Sequence, residues 1–599
     1  MHIHRSLKDV FPESMMSSPH CPITELRNSN TTNIEVCSPI DIVSLLQKCD
    51  AEIFDGWDDY PGIFSERIQN TLNRIVSVAA TILENPEEGA IVFSGCGTSG
   101  RLAFITTKTF NGRLKKEGKT PCYQYIIAGG DKALFTSQEA IEDDPVEGEK
   151  ILEQTTAGKS RVLYIGITCG LSAPFVAGQL DHCMKNTAKF TPVLLGFNSV
   201  DQARNLPIEK WDQTFLQVVK KLEHTEKEGK GFILNPIIGP EPITGSSRMK
   251  SGSATKILLE SIFVTAHTKV FCGQFVRIPD FIKSYKMVCD STYKEKVDIA
   301  ALIEMAGRSL NAGCCIYYLG LDNLAIMGMI DASECPPTFG ATLDDVRGFI
   351  REGYAEFPIN EGNISHLGKH FRISKSDFDK DILPTLSKDD LIVVLTSDTD
   401  IVVDHTTKET KCQKALVFIG DETEKMPTEV QSLFDKTVNV TLPMSEMSRT
   451  LPEQVTRGNK QLYAEMSVKW ILNSISTGAH ILKGKIYQNI MVDVKVSNNK
   501  LFHRAVGIIQ RYSDLSTAEC KEYLLRSIYH TDNLKDDQVA APIAEHIAMA
   551  TPQQKIVPVA LVAAILKCPV DKAKSVLEEH HVITTAISST LEKVSSDAL

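Results

Sequence analysis

Phe93–Arg101 reads FSGCGTSGR, and this stretch decides the fold class of the chain. The apolar run 90–93 predicts a buried strand, and a helical pattern begins at Leu102. A strand that turns through glycines into a helix leaves backbone N–H groups unpaired at the helix start. With the hydroxyls of Thr98 and Ser99, these donors form a cradle that fits a phosphate dianion.

The motif differs from the two common nucleotide-binding loops. No lysine stands where GxxxxGK[ST] requires one, so it is not a P-loop. Gly95, Gly97 and Gly100 have the GxGxxG spacing, but no acidic residue stands out near position 120 to bind a ribose. A tight strand-to-helix connection without a ligand has the same pattern, and that interpretation stays open beside phosphate binding.

The composition is that of a large globular protein. The chain has 599 residues, 42% of them hydrophobic, which predicts two to four domains. A net charge of −11 argues against a nucleic-acid partner, and no apolar run approaches the roughly 18–20 residues that span a membrane. The 15 cysteines are scattered, which favours reduced thiols in a cytoplasmic or nuclear protein. The histidines do not cluster with acidic or thiol residues at helical spacing, so we expect no metal. We also expect no cofactor.

Short apolar runs alternate with amphipathic segments along most of the chain. Strands are predicted at 90–94, 123–128, 161–167, 192–197 and 232–234, then at 315–319, 391–396 and 415–419, with a helix at 460–483. This alternation predicts an α/β fold of doubly wound parallel sheets covered by helices, with ligands beyond the carboxyl ends of the strands. From about residue 490 the spacing is helical throughout, which predicts an all-helical C-terminal cap.

The two sets of strands are predicted to be copies of one module. Ile91 aligns with Ile316 and Phe110 with Cys335, an offset of 225 residues. Only the first copy has the Gly-Thr-Ser turn, and Asp322 in the second would repel a phosphate. We therefore expect a disordered tail over 1–39, a ligand-binding domain over 40–280, a second domain with a degenerate ligand loop over 281–488, and the cap over 489–599.

Four further segments could contribute to a ligand site, and each also has a plain structural interpretation. Thr168–Pro174 follows a buried strand and offers hydroxyls, although Ser172 before Pro174 also fits a helix cap. Gly245–Gly252 offers hydroxyls and two cations to a ligand at a helix start, although a capped surface turn has the same residue types. In the acidic cluster 139–144 a carboxylate could bind sugar hydroxyls or act as a base, or merely complement a helix dipole. The segment 331–340 fits a helix end broken by two prolines.

Together these motifs resemble those of the sugar isomerase (SIS) domain family. The resemblance is to the group of bacterial N-acetylmuramic acid 6-phosphate etherases and animal glucokinase regulatory proteins, and it covers nearly everything from about residue 40 to 599. The shared motifs lie at 97–101, 127–130, 239–250, 472–478 and 491–501. The length, the duplication and the segments 170–179 and 345–349 resemble the regulators, since the etherases have one such domain per chain.

The resemblance implies a non-catalytic regulator that resides in the cytoplasm and the nucleus. It implies binding of fructose 6-phosphate or fructose 1-phosphate, and inhibition of a glucokinase-type hexokinase that the first ester strengthens and the second relieves. Carried over to this sequence, the ligand contacts fall on Thr98, Ser99, Gly100, Glu142, Thr168, Gly170, Ser247, Arg248 and Lys500. Because Lys500 belongs to the cap, ligand binding could report on the position of the cap.

A sugar 6-phosphate etherase or isomerase is the alternative. The resembling etherases use two glutamates, one as a base and one as an acid. Glu142 matches the base, whereas Thr109 stands where the acid belongs and Glu334 has that place in the second copy. Catalysis would therefore require Glu334 to reach the first site across the interface between the copies.

The stretch Leu442–Leu451 departs from the resembling regulators, which have a more apolar, partner-facing loop there. Apolar anchors usually supply most of the binding energy of an interface, so a polar stretch predicts weaker kinase binding. A sugar-phosphate-binding scaffold with a different partner stays open as a third reading.

Overall fold

The computed structural model describes residues 21–136, 138–399, 410–580, 585–590 and 592. The first domain is built on a parallel sheet of five strands in the order β2-β1-β3-β4-β5. Its strands are β1 (Gly89–Gly95), β2 (Tyr123–Ile127), β3 (Arg161–Ile167), β4 (Phe190–Leu195) and β5 (Phe232–Leu234). Its helices are α1 (Pro39–Asp55), α2 (Glu66–Glu84), α3 (Thr98–Lys116), α4 (Pro145–Thr155), α5 (Pro174–Lys185), α6 (Phe215–Lys227) and α7 (Lys250–Cys272).

The second domain repeats this architecture. Its parallel sheet has the order β7-β6-β8-β9-β10. Both sheets therefore have the same strand order, in which the first strand of the domain lies between its second and third strands. Its strands are β6 (Ile316–Gly320), β7 (Val346–Ile350), β8 (Leu391–Thr396), β9 (Gln413–Asp421) and β10 (Lys436–Leu442). Its helices are α8 (Ile278–Lys294), α9 (Lys296–Asn311), α10 (Asp322–Phe339), α11 (Lys375–Asp381), α12 (Thr428–Gln431), α13 (Met444–Met447), α14 (Glu453–Gly458) and α15 (Lys460–Leu482).

The fold-class prediction of two tandem α/β domains and a helical C-terminal domain is confirmed. Every predicted strand is present within two residues at each end, because buried parallel strands are nearly continuous apolar runs. The sequence prediction missed β7 and β10, which are the two edge strands of the second sheet. Arg347 and Gly348 interrupt β7, and β10 alternates polar and apolar residues, so neither forms an apolar run.

The C-terminal region follows a short antiparallel hairpin. Its elements are β11 (Ile486–Tyr487), β12 (Ile490–Met491), α16 (Asn499–Arg511), α17 (Thr517–Tyr529), α18 (Asp536–Ala540), α19 (Ile543–Ala550), α20 (Ile556–Leu566) and α21 (Val570–Glu579). We call the part from Asn499 onward the cap. Within the described part of the chain, no helix is both long enough and apolar enough to cross a membrane.

The predicted disordered tail over residues 1–39 is wrong for residues 21–38, whereas 1–20 lie outside the described residues. Three short 3-10 turns form there, at Ile23–Glu25, Ser29–Thr31 and Ile34–Val36. Ile23 and Ile34 are buried, and Asn28 is almost fully buried as well. The segment has few apolar residues, but its polar side chains form hydrogen bonds with residues elsewhere in the fold, which its composition alone does not reveal.

One hydrophobic core runs through both α/β domains. Its centre contains α7 and α15, which occupy equivalent places in the two domains and are buried over nearly their whole length. Their buried charged groups are paired with one another, since Lys256 of α7 forms ion pairs with Glu260 of the same helix and Glu465 of α15. The two domains therefore form one tightly packed pair, which places residues of the second domain beside the first.

Candidate functional site

The turn after β1 is the floor of a cleft in the first domain. Gly97 has a φ of +51° and a ψ of −126°, a conformation that glycine adopts readily. Helix α3 begins at Thr98, and its N-terminus has no side-chain cap among the described residues. The hydroxyls of Thr98 and Ser99 line the cleft at this point. Burial raises the pKa of the neighbouring Cys169 to about 11, so this thiol adds no negative charge beside Ser99.

Gly100 has a packing role in this turn. A Cβ atom at Gly100 would lie 2.4 Å from Ile127 Cγ1 and 2.8 Å from Gly95 O, so only glycine lets α3 approach the sheet this closely. Of the nine predicted ligand contacts, it is the one that the structure places behind the cleft. The other eight line the cleft, namely Thr98, Ser99, Glu142, Thr168, Gly170, Ser247, Arg248 and Lys500.

A second turn, after β3, forms the adjacent wall. The sequence suggested Ser172 as the cap of α5, but the N-cap is Ala173 and no described side chain caps this helix. Thr168 Oγ1 instead holds the turn before it, where it accepts hydrogen bonds from Ser172 N at 3.2 Å and Ala173 N at 3.3 Å. Within the described part of the chain no group accepts the hydroxyl proton of Thr168, which can therefore be donated to a ligand in the cleft. The carbonyl of Gly170 accepts a hydrogen bond from Asn198 Nδ2 at 3.1 Å, which holds the turn against the loop after β4.

The third turn, before α7, contributes less positive charge than its sequence suggests. Glu241 accepts hydrogen bonds from Lys250 N and Ser251 N, both at 2.9 Å, so a carboxylate of the protein already occupies the N-terminus of α7. Arg248 is only 3% exposed and reaches into the second domain, where Asp331 Oδ1 lies 2.7 Å from NH1. Its other amino group donates to the hydroxyls of Ser476 and Thr477.

The cap closes the cleft opposite these turns. Lys500 lies in the first turn of α16 and lines the cleft. The same helix end docks on the acidic segment of the first domain, where Asn499 N donates to Asp143 Oδ2 at 3.0 Å and Asn498 Nδ2 lies 3.5 Å from Glu142 Oε2. A carboxylate at a helix N-terminus is stabilised by the unpaired N–H groups and by the helix dipole. Glu142, the predicted sugar-pocket carboxylate, therefore contacts the N-cap residue of α16, and its neighbour Asp143 contacts the cap itself.

Glu334 of the second domain lines the same cleft and forms a buried ion pair with Arg101 of α3. A Cβ atom at Gly97 would lie 3.7 Å from Glu142 Oε1 and 3.9 Å from Arg101 NH1, so Glu142 and this ion pair face the same point. Glu142 and Glu334, the two carboxylates that an etherase would need, lie in different copies of the module along the sequence. The packing of the two domains brings them to one cleft.

Sequence reasoning missed four further charged or polar groups at the cleft. Thr24, Glu25, Arg204 and Arg504 line it, and they come from the N-terminal segment, the loop after β4 and the cap. Burial lowers the pKa of Arg204 from its usual value, an effect that Asp143 and Glu25 partly oppose. None of the four belongs to a glycine-rich turn or follows a strand directly, so no local pattern marks them.

One cluster outside the cleft brings a histidine close to two acidic residues that are distant from it in sequence. His182 of α5 lies 3.1 Å from Glu149 Oε1 and 3.8 Å from Glu153 Oε1 of α4, outside the cleft. These residues come from two helices, so their separation in sequence hid the contact. Among the residues that the structure describes, they are the group of acidic and imidazole side chains close enough to share an ion.

Family models match most of the chain. Residues 74–184 match the glucokinase regulatory protein N-terminal SIS domain, residues 293–483 match the second SIS domain of that protein, and residues 488–587 match its C-terminal lid domain. The three matches follow the two sheets and the helical region that the structure shows.

Curated relatives extend this likeness to the whole chain. The glucokinase regulatory protein of Xenopus laevis is 39% identical over 589 residues, covering 95% of this chain and 93% of that protein. The human glucokinase regulatory protein is 38% identical, covering 95% of this chain and 92% of that protein. An N-acetylmuramic acid 6-phosphate etherase of Clostridium botulinum is 32% identical over 231 residues, covering 38% of this chain and 70% of that enzyme. The chain belongs to the glucokinase regulatory protein family.

Proposed function

We propose that this protein is a sugar-phosphate-responsive regulator that binds fructose 6-phosphate or fructose 1-phosphate in the cleft and inhibits a glucokinase-type hexokinase. The observation that supports it is the meeting of three hydroxyl-bearing turns of the first domain with Lys500 of the cap in one cleft. Fructose 6-phosphate is expected to strengthen the inhibition and fructose 1-phosphate to relieve it.

The cleft has complementary groups for both parts of such a ligand. The uncapped start of α3 and the hydroxyls of Thr98, Ser99 and Ser247 can donate to phosphate oxygens, and Lys500 supplies the positive charge. Glu142 can accept hydrogen bonds from sugar hydroxyls. Because Arg248 is already paired with Asp331, we assign it to the wall of the pocket rather than to the phosphate.

The stretch Leu442–Leu451 divides its side chains between the core and the surface. In Leu442–Leu451 the apolar side chains of Leu442, Met444, Met447 and Leu451 are buried, and Ser445, Glu446, Arg449 and Thr450 are exposed. The stretch therefore presents polar groups outward, as its sequence suggests.

All 15 cysteines are free thiols, which fits the reducing cytoplasm and nucleus, where we expect the regulator to act.

Calorimetric titration with each fructose phosphate tests the site. We expect the wild type to bind and the double variant Ser99→Ala/Lys500→Ala to lose binding, because it lacks a hydroxyl donor and the cap cation of the cradle. The matched control is Ser77→Ala/Lys572→Ala, an exposed serine and lysine outside the cleft. Absence of binding to either ester in the wild type would contradict the proposal. A glucokinase pull-down that stays empty with and without fructose 6-phosphate would contradict the partner.

An etherase is the second candidate, because Glu142 and Glu334 share the cleft. The contact with Arg101 argues against it, since a carboxylate in a buried ion pair is an acceptor and the etherase acid must donate a proton. Lactate release from N-acetylmuramic acid 6-phosphate that disappears in Glu142→Gln would support this candidate. No turnover at high protein concentration would exclude it.

A further inference from the structure

The N-terminal segment, residues 21–37, is fixed to two parts of the molecule. Asn489 of the hairpin donates to Asn28 O at 2.9 Å and to Thr31 Oγ1 at 2.8 Å, and Arg27 donates to Asn489 Oδ1 at 3.0 Å and Gln488 O at 2.8 Å. Thr31 and Asn28 also donate to carbonyls of the first domain, at Pro242 and Pro240. The segment is thereby held in place next to the cleft, where Thr24 and Glu25 form part of the wall.

Thr24 holds the ligand turn of the first domain through one buried side chain. Asn198 is fully buried, and its Nδ2 donates both to Thr24 Oγ1 at 2.9 Å and to Gly170 O at 3.1 Å. In return, Thr24 N donates to Asn198 Oδ1 at 3.0 Å. A movement of the Gly170 turn would therefore move Asn198 and, through it, Thr24.

Glu25, the next residue, holds the cap. Its carboxylate accepts two hydrogen bonds from Arg504 NH2, at 2.6 Å and 2.8 Å, and Arg504 belongs to α16. A Cβ atom at Gly245 would lie 2.5 Å from Arg504 NH2, so this guanidinium rests on the glycine that precedes Ser246 and Ser247. Arg504 thus touches a ligand turn on one side and the N-terminal segment on the other.

We infer that the N-terminal segment is a positioning element of the ligand site, and that Thr24 and Glu25 together couple occupation of the cleft to the position of the cap. This inference rests on the proposed function. Thr24 is linked to the Gly170 turn and the next residue, Glu25, is linked to α16. Because the two residues share a peptide bond, a displacement of Thr24 also displaces Glu25. A phosphate dianion in the cleft would attract Arg504 and repel Glu25, which changes the contact between them. A ligand couples two sites when it favours one of their arrangements in this way.

Hydrogen exchange of the full chain with and without fructose 6-phosphate tests the coupling, with calorimetry in parallel. In the wild type, we expect the ligand to change the exchange of amides in 499–511 and 22–36. Glu25→Gln removes a negative charge from the wall of the cleft, so we expect the affinity for fructose 6-phosphate to rise while the change in 499–511 falls by at least half. The matched control is Glu84→Gln, an exposed glutamate at the end of α2.

Two further variants separate coupling from simple loss of structure. The charge exchange Glu25→Arg/Arg504→Glu should restore part of the response, because it rebuilds the ion pair in reverse. Thr24→Val should weaken binding of fructose 6-phosphate by about fivefold, the equivalent of one net hydrogen bond. An equal response of 499–511 in the wild type and Glu25→Gln would overturn the inference, as would binding with no response there. No calorimetric binding in the wild type would overturn the proposed function instead.

Discussion

The first and second domains share a backbone turn but use it differently. Gly97 and Asp322 are equivalent under the 225-residue offset and have φ values of +51° and +47°. In the first domain the turn borders an open cleft. In the second, Asp322 N donates to Glu356, and Asn323 contacts Lys108, Thr109 and Glu465, so the protein fills the turn with its own groups. The fold preserves the turn, whereas the side chains decide whether it has room for a ligand.

The contacts across the domain interface also involve equivalent positions that carry different side chains in the two domains. Thr109 of α3 and Glu334 of α10 are equivalent, and each reaches the turn of the other domain. Glu334 meets the buried Arg101 and Thr109 meets the amide of Asn323, so at this one pair of equivalent positions the residue that contacts the first turn is charged and the residue that contacts the second is neutral. Duplication therefore placed two unlike residues at matching positions, and only one of them faces the cleft.

Gly97→Asp should have the largest effect, because it gives the first turn the residue of the second. A Cβ atom at position 97 would lie 3.7 Å from Glu142 Oε1 and 3.9 Å from Arg101 NH1, which is already paired with Glu334. The new carboxylate would therefore stand close to Glu142 and to the phosphate position, where two like charges repel by about 4 kcal/mol at a separation of about 4 Å. We expect affinity for fructose 6-phosphate to fall by more than about 100-fold by calorimetry. Gly97→Ala is the control for the backbone strain alone. If both variants bind equally well, charge does not distinguish the two turns.

Glu334→Gln should affect stability more than Thr109→Val does. Glu334 and Arg101 are more than 90% buried, so loss of the carboxylate leaves a buried guanidinium without a counter-charge and should reduce the free energy of unfolding by about 3 kcal/mol. Thr109→Val removes one neutral hydrogen bond and should cost about 1 kcal/mol. Urea unfolding of both variants measures the difference. Equal losses would mean that the charged contact is no stronger than its neutral counterpart.

Acid should weaken both domains through one histidine in each of the equivalent long helices. Burial lowers the pKa of His267 in α7 and of His480 in α15 to about 3, so the folded chain leaves them neutral. Below pH 6.5 the unfolded chain binds protons that the folded chain does not, so stability falls as the pH falls. From pH 7 to 5 the loss is about 2 kcal/mol for each histidine.

The variant His480→Gln measures this loss in the second domain. Between pH 7 and 5 its free energy of unfolding should fall by about 2 kcal/mol less than that of the wild type. His267→Gln should show the same difference for the first domain. The comparison with the wild type removes opposing groups such as Glu260, whose pKa burial raises to about 7 and which therefore adds stability as the pH falls. A variant that loses as much stability as the wild type would show that its histidine is protonated in the folded state.

Prediction from sequence succeeded where the signal is local. The central strands, the turns at 95–100 and 168–174, and the duplication follow from apolar runs, glycines and an internal repeat. It failed for the edge strands β7 and β10, which are too mixed in polarity to stand out. It also failed for residues 21–38, whose order depends on hydrogen bonds to Asn198 and Asn489, more than 170 residues away.

The sequence by itself determined the class of the fold, the two copies and the hydroxyl-bearing turns, because each depends on neighbours along the chain. Only the tertiary structure decided which charges remain at the cleft. Arg248 looked like a ligand contact and is paired with Asp331, whereas Glu334 belongs to the second copy and faces the first site. Electrostatic interactions depend on distance in space and on burial, and both are known only once the two domains and the cap are packed together.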